Sequence, residues 1–330
     1  MMLSEPVKSY EEADLNRLSI FQEDWWLKIA KGSARLDEVQ VLGPNGVVIG
    51  RLPYIVHRNA LGIPSGRSPI LSRVGGPIVS NSLSDERKRF VLKRLIEKLP
   101  KFSFTFSIAE HMPNARLINH TFNCAGFECF EQTNFSLPPH DVASNLGKKL
   151  REHIRQAQNK LELITIEPDI FAAFYQRNLD DNSKKSFFSL DIASKLIATC
   201  MTRDPPQARI IAACKKRAVR QPEIDAAICV VWDKERCYYW LSTRCNDSHP
   251  DAIKLLIKEA MMHSARLGLI FDADGVNTQG ADRLFRLIFG MPNEEKRYIF
   301  MRTSRLTKIC ETSRSHIDRL KKFAVTVGLK

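Results

Sequence analysis

The 330-residue chain exceeds what one small core needs and suits about two domains, and its 44% hydrophobic content is that of globular protein rather than of a disordered chain. No apolar run approaches the roughly 18 residues that span a bilayer, and the mixed-charge start MMLSEPVKSYEEADL has no apolar signal core, which places the chain in the cytoplasm. A formal charge of +13 admits polyanionic partners (nucleic acid, a phosphorylated cofactor, anionic lipid headgroups) or a solvated basic surface.

From Phe21 the run FQEDWWLKIAKG reads as a helix that starts on acids. Adjacent Trp25 and Trp26 cannot share a helix face, so one belongs to the core and the other to a groove or domain contact. Glu38–Leu42 and Val47–His57 pair as a hairpin around Gly43-Pro44-Asn45-Gly46, because Asn-Gly favours positive φ. Residues 61–77 are rich in Gly, Pro and Ser and read as an irregular loop, with amides at Gly75 and Gly76 available to an anion or to a structural turn. A helix capped by Ser84 follows to Lys98, then a strand at Phe102–Ala109, a short helix near Ala115 and a strand at Gly126–Leu137. The diproline Pro138-Pro139 marks a boundary.

The second half opens with a helix at Ser144–Leu161, whose apolar stripe is Leu146, Leu150, Ile154, Ala157 and Leu161. Lys148, Arg151 and Arg155 line a neighbouring face and form a candidate anion-binding ridge. A strand at Leu163–Glu167, helices at Asp169–Leu179 and Leu190–Met201, and strands at Arg209–Lys215 and Ile224–Trp232 come next. The strand RCYYWLSTR then alternates so that Tyr238, Trp240, Ser242 and Arg244 share a face, a candidate substrate wall of aromatic, hydroxyl and guanidinium groups. After a helix at Asp251–Leu267, the strand Leu269–Phe271 runs into Asp272, Asp274 and Gly275. Two carboxylates thus meet where a buried strand ends, a common address for a ligand. A strand at Arg297–Thr303 and a basic helix at Arg314–Phe323 complete the chain.

The sequence holds no G-x-S-x-G elbow, Walker A loop, G-x-G-x-x-G or H-E-x-x-H. The eight cysteines show no zinc spacing and read as reduced core thiols, so no metal is expected. What remains is direct attack of an amine on an activated acyl group, for which the protein orients substrates, accepts a proton and stabilises an oxyanion. Asp272 and Asp274 are the candidate catalytic acids, their mutual repulsion raising one pKa, against the alternative that one caps the following turn and the other is solvated. Tyr175 and Asn178, one turn apart, are further substrate-binding candidates, and Gly275 supplies a backbone geometry that a Cβ forbids.

LREHIRQAQNK at Leu150, YYWLSTR at Tyr238, FDADGVNTQGADRLFRLIFG at Phe271, and the WW followed by a hairpin ending RLPYIV resemble the Fem-type aminoacyltransferases and their wider GNAT-like relatives. The likeness spans most of residues 20–300. It implies an α/β (α+β) fold of two tandem GNAT-like domains, each a mixed, mainly antiparallel sheet flanked by helices. They would cover residues 1–139 and 140–304, followed by a basic helical tail over 305–330.

The resemblance also implies transfer of an acyl or aminoacyl group from an activated donor, acyl-CoA or aminoacyl-tRNA, to an amine-bearing acceptor, lipid-linked or not, in the groove between the domains. Cell-envelope or polysaccharide synthesis, contact with tRNA, and peripheral contact at the inner membrane surface go with that reading. Members that use acyl-CoA carry a Gly-rich turn before the helix at Asp251. Here Arg244-Cys245-Asn246-Asp247-Ser248-His249-Pro250 has no glycine, and Asp251 would repel a phosphate. The alternatives are a non-catalytic GNAT-like module that binds an anionic lipid-linked glycan or RNA, and a dedicated nucleic-acid binder.

Overall fold

The computed structural model describes residues 19–142, 146–216, 223–276, 278–290, 293–304 and 307. The helices are α1 (Asp24–Ala30), α2 (Asp85–Lys98), α3 (Ala115–Cys124), α4 (Lys148–Lys160), α5 (Pro168–Asp181), α6 (Leu190–Thr202), α7 (Ala252–Arg266) and α8 (Gln279–Phe289). The strands of the first half are β1 (Arg35–Leu42), β2 (Val48–Arg58), β3 (Pro64–Arg67), β4 (Ile78–Val79), β5 (Ser103–Ala109) and β6 (Glu128–Leu137). Those of the second are β7 (Leu161–Thr165), β8 (Ala208–Lys215), β9 (Ile224–Trp232), β10 (Arg236–Arg244), β11 (Ile270–Asp272) and β12 (Glu294–Arg302).

All twelve strands form one sheet in the order β1-β2-β3-β5-β12-β6-β11-β10-β9-β8-β7, with β4 beside β2. Only the β10–β11 and β3–β5 pairs are parallel. The boundary expected at 139/140 divides the chain but not the sheet. β12 inserts between β5 and β6 of the first half, and β6 continues the ladder onto β11 of the second. The expected irregular loop at 61–77 corrects to one short strand with linkers, β3 against β2 and β5, and β4 begins just beyond it against β2. Gly75 donates its amide to the Ser107 carbonyl at 2.7 Å, so that amide is closed to an anion. The tail helix at 314–323 lies outside the described residues.

Local chemistry explains the elements. Ser84 caps α2 by accepting from the Arg87 amide at 3.4 Å, and Gly46 at φ +74° turns the β1–β2 hairpin. Two apolar cores sandwich the sheet. The first joins Phe21, Trp26, Phe106 and Phe122 of the first half to Phe171, Leu196, Tyr238, Trp240 and Phe300 of the second. The other packs α4, α7 and α8 on the opposite face through Leu150, Ile154, Leu256, Met261, Phe285 and Phe289. Because the first core crosses between the halves, they are held as one body by apolar burial. Among the described residues no helix is long and apolar enough to cross a membrane.

Candidate functional site

β10 and β11 pair over only three residues, from Arg236 opposite Ile270 to Tyr238 opposite Asp272, and then diverge. Two features drive them apart. β10 carries a bulge at Trp240, where the register against β9 jumps from Tyr239–Val230 to Leu241–Cys229. β11 meanwhile turns toward β6, with the Ala273 amide donating to the Phe135 carbonyl at 2.8 Å and Asp274 at φ +63°.

The bulge corrects the expected substrate wall, because an extra residue inverts the alternation beyond it. Tyr238, Trp240 and Leu241 join the first core, whereas Tyr239 packs on the other face. Ser242 hydrogen-bonds Tyr239, whose hydroxyl burial pushes up to about 12. Arg244 is exposed at the strand end. Tyr238 and Trp240 are 3% and 1% exposed. The Tyr238 hydroxyl donates to Asp233 at 2.9 Å, and Trp240 donates to the Leu71 carbonyl at 3.0 Å with its ring edge-on to Trp26. Tyr238 also meets Ser19 Oγ at 3.3 Å and the Phe21 ring at 4.9 Å, so both side chains are buried contacts to the first half rather than a wall open to substrate.

Arg73, from the loop between β3 and β4, enters the gap between the diverging strands. Its Nη2 donates to the Trp240 carbonyl at 2.7 Å, and its Nε lies 2.6 Å from Asp274 Oδ2, a charge contact without hydrogen-bond alignment. The other Asp274 oxygen accepts from Arg297 Nη2 at 2.8 Å. Burial pushes the Asp274 carboxyl above its ordinary value, with Asp272 adding to the shift and Arg73 and Arg297 opposing it. Repulsion between the two acids, the cause expected from the sequence, is therefore the lesser one.

Asp272 is equally committed. Oδ1 accepts from Asn134 at 3.0 Å and from the Asp274 amide at 2.8 Å, and Oδ2 accepts from Arg236 at 3.0 Å. Arg236 also donates twice to Glu295 at 3.1 Å. His111, Asp272 and Glu295 bring ligand atoms within 4.8 Å of one another, but Arg236 compensates both carboxylates there, which does not suit a cation. The seam thus sets Arg73, Arg236 and Arg297 against Asp272, Asp274 and Glu295. Gly275 follows at φ +84°; a Cβ there would stand 3.0 Å from Arg297 Nη1.

On the α5 side of the gap, Tyr175 is half-buried against Phe171 and Phe188, and burial pushes its hydroxyl up with the Arg73 charge opposing. Asn178 is 6% exposed and donates to Thr243 at 2.9 Å, while its Oδ1 has no partner among the described residues.

At the opposite end of β10 a cleft of about 1340 Å³ opens between the halves. Trp25, Lys28 and Arg51 line one side, and Arg203, Arg209 and His263 the other. Trp25 carries Arg203 over its ring at 4.7 Å, while Trp26 is fully buried and donates to Ser72 at 3.1 Å. The two tryptophans divide as the helix period requires. Arg51, Arg203 and Arg209 have carboxylate neighbours in Asp24, Glu23 and Glu259. Even so, Arg51 Nε, Gln207 Oε1 and His263 Nε2 are buried polar atoms without a partner among the described residues. Burial, with Arg209 and Arg266 nearby, pushes His263 down, so it is neutral at neutral pH.

No family model and no curated protein sequence matches the chain. Solved structures do. The chain is similar to FemX, with TM-score 0.59 and 10% identity over 88% of this chain and 96% of that one. It is also similar to L-PGS from Bacillus licheniformis, with TM-score 0.53 and 11% identity over 86% and 93%. A C-terminal domain ascribed to a lysylphosphatidylglycerol synthetase of Agrobacterium fabrum gives 0.52 and 12% over 84% and 88%. The fold is that of FemX.

Within this fold the expected anion ridge on α4 is a surface feature. Lys148, Arg151 and Arg155 are exposed, Arg151 donates to the Leu146 carbonyl at 2.5 Å, and Arg155 pairs with Glu152 at 3.2 Å. The start of α7 is closed to phosphate by charge. Burial alone would raise the Asp251 pKa, but hydrogen bonds from Lys254 and His153 outweigh it and hold the carboxyl low. Sequence reasoning missed Arg73, Arg236 and Arg297, which lie far apart in the chain, and it missed the cleft arginines. The one available signal was an arginine inside the Gly/Pro-rich run SRVGGP.

Proposed function

We propose that this chain is an N-acyl or aminoacyl transferase that moves an acyl group from an activated donor to an amine, in cell-envelope or polysaccharide synthesis. The observation that carries the reading is the gap between β10 and β11, which brings Arg73 of the first half against Asp274 of the second beside Tyr175. In this reading the amine nitrogen attacks the donor carbonyl, the new C–N bond forms, and the bond to the donor's leaving group breaks. Arg73 faces the developing oxyanion, Asp274 accepts the amine proton, and Asp272 holds Asp274 in place through its amide.

The cleft takes the anionic part of the acceptor, with Arg51 and Arg203 on opposite walls. The cleft is lined by Asp233 and Lys234 just before β10, and Arg73 meets Trp240 in the gap six residues on from Lys234, roughly 20 Å along the chain. The acceptor is therefore extended, as a lipid-linked or peptide-bearing glycan precursor is. The low-pKa Asp251 at the start of α7 favours an aminoacyl-tRNA donor over acyl-CoA.

A second reading, a non-catalytic module that binds an anionic glycan or RNA, is favoured by one observation: the gap already holds Arg73, and every carboxylate oxygen of Asp272 and Asp274 faces a donor. A thermal-shift screen with acetyl-CoA, longer acyl-CoAs and aminoacyl-tRNA separates the two, because ligands of the native state raise Tm. A donor that raises Tm and is turned over, with turnover lost in a folded Asp274→Asn protein, supports the transferase. Stabilisation by an anionic glycan alone, with no donor effective, supports the module.

A further inference from the structure

The connection between α5 and α6 is pinned at both ends and displays one side chain. Ser183 at φ +51° closes α5, with the Ser183 amide bonded to the Asp180 carbonyl and the Lys184 amide to the Leu179 carbonyl, both at 2.9 Å. Ser186 Oγ accepts from the Phe188 amide at 3.2 Å, and Ser189 caps α6 by accepting from the Ile192 amide at 3.4 Å. Phe188 folds inward onto Tyr175, ring centroids 5.7 Å apart. Phe187 points outward and is 93% exposed, against 73% for Leu61, the next among the described large apolar side chains.

Scattered exposed apolar residues need no explanation. Phe187 differs because Lys184 and Lys185 stand beside it, exposed and with no carboxylate partner among the described residues. Nearby acids are otherwise engaged or set back: Asp180 accepts from Gln176 at 2.7 Å, Asp191 pairs with Lys195 at 2.8 Å, and Asp181 lies in the last turn of α5.

We infer that this connection is a docking tip for an anionic lipid surface, with Phe187 entering the headgroup boundary and the Lys184 and Lys185 ammoniums on lipid phosphates. A lone aromatic beside two lysines without carboxylate partners suits a bilayer interface, where the ring is buried and the charges stay wet. A protein partner would call for a wider apolar patch around the anchor. The overall charge of +13 adds attraction at long range. Phe188 of the same connection rests on Tyr175, which ties the tip to the helix bordering the β10–β11 gap. This goes beyond the proposed transfer reaction, and its test needs no turnover.

The test is sedimentation of the full chain with phosphatidylcholine vesicles, with and without about 30% phosphatidylglycerol. The wild type is expected to bind the anionic vesicles, weakly the neutral ones, and less as salt rises. Phe187→Ser and the double variant Lys184→Glu, Lys185→Glu should each weaken that binding about tenfold with Tm unchanged, since both sites are exposed. Absence of binding to the anionic vesicles overturns the inference. So does binding that survives both variants, which places the contact elsewhere. Phe187-dependent dimerisation in light scattering without vesicles also overturns it, because the tip would then be covered by a second copy.

Discussion

Arg73 and Asp274 lie 201 positions apart in the chain, yet Arg73 Nε sits 2.6 Å from Asp274 Oδ2, in the gap where β10 and β11 part. The contact ties the first half to the second at a point where no strand hydrogen bonds remain between β10 and β11. Buried ion pairs contribute little net stability, since desolvation offsets attraction, but breaking one strands a charge. The seam therefore fixes how the halves meet more than it adds to their affinity.

Removing one partner is accordingly expected to be costly. Arg73→Ala and Asp274→Asn should each destabilise by about 3 kcal/mol, and the double variant by clearly less than the sum. Urea unfolding of the four proteins measures this. Additive effects would mean that the contact does not couple the halves.

Gly275→Ala puts a Cβ at φ +84° and 3.0 Å from Arg297 Nη1. A loss of about 1–3 kcal/mol is expected from the backbone conformation and the displaced guanidinium. A thermal melt tests it, and an unchanged midpoint would contradict the geometry.

The adjacent tryptophans should behave differently. Trp26 is fully buried beside Phe21 and Trp240, so Trp26→Ala should cost about 3–5 kcal/mol. Trp25 lines the cleft under Arg203, and Trp25→Ala should stay within about 1 kcal/mol. Equal losses in chemical denaturation would refute this division.

Glu295 gives an acid dependence of defined sign. Burial raises its pKa, but His111, Arg236 and Ser136 outweigh that and hold it at about 2 against an ordinary 4.5. A pKa depressed on folding contributes stability above the unfolded value, and that stability is lost as pH falls from about 4.5 toward 2. The contribution is up to about 3 kcal/mol. Glu295→Gln should flatten the fall in unfolding free energy over that interval, and an equally steep fall would assign the effect to other groups.

How much of this was legible varies by element. The helices at 84–98, 190–201 and 251–267 and the hairpin at Gly46 follow from period and turn chemistry, which act within a few residues. Tyr238 and Trp240 read as a wall with Ser242 because alternation assumes an unbroken ladder. The bulge at Trp240 is set by pairing with β9 and leaves no local mark in the sequence. Asp272 and Asp274 drew notice as acids at a strand end, but their three arginines come from positions 73, 236 and 297.

The sequence by itself determined most helices and strands, though not the short β3 and β4, that Trp25 and Trp26 part company, and that Gly275 holds a geometry a Cβ forbids, because these depend on near neighbours and on the presence or absence of a Cβ. Tertiary structure alone decided that β12 closes the first half's sheet, that the acids are compensated by arginines, and that a cleft opens between the halves before β10. Those outcomes turn on which distant groups are buried together, where an uncompensated charge costs far more than it does on an isolated strand.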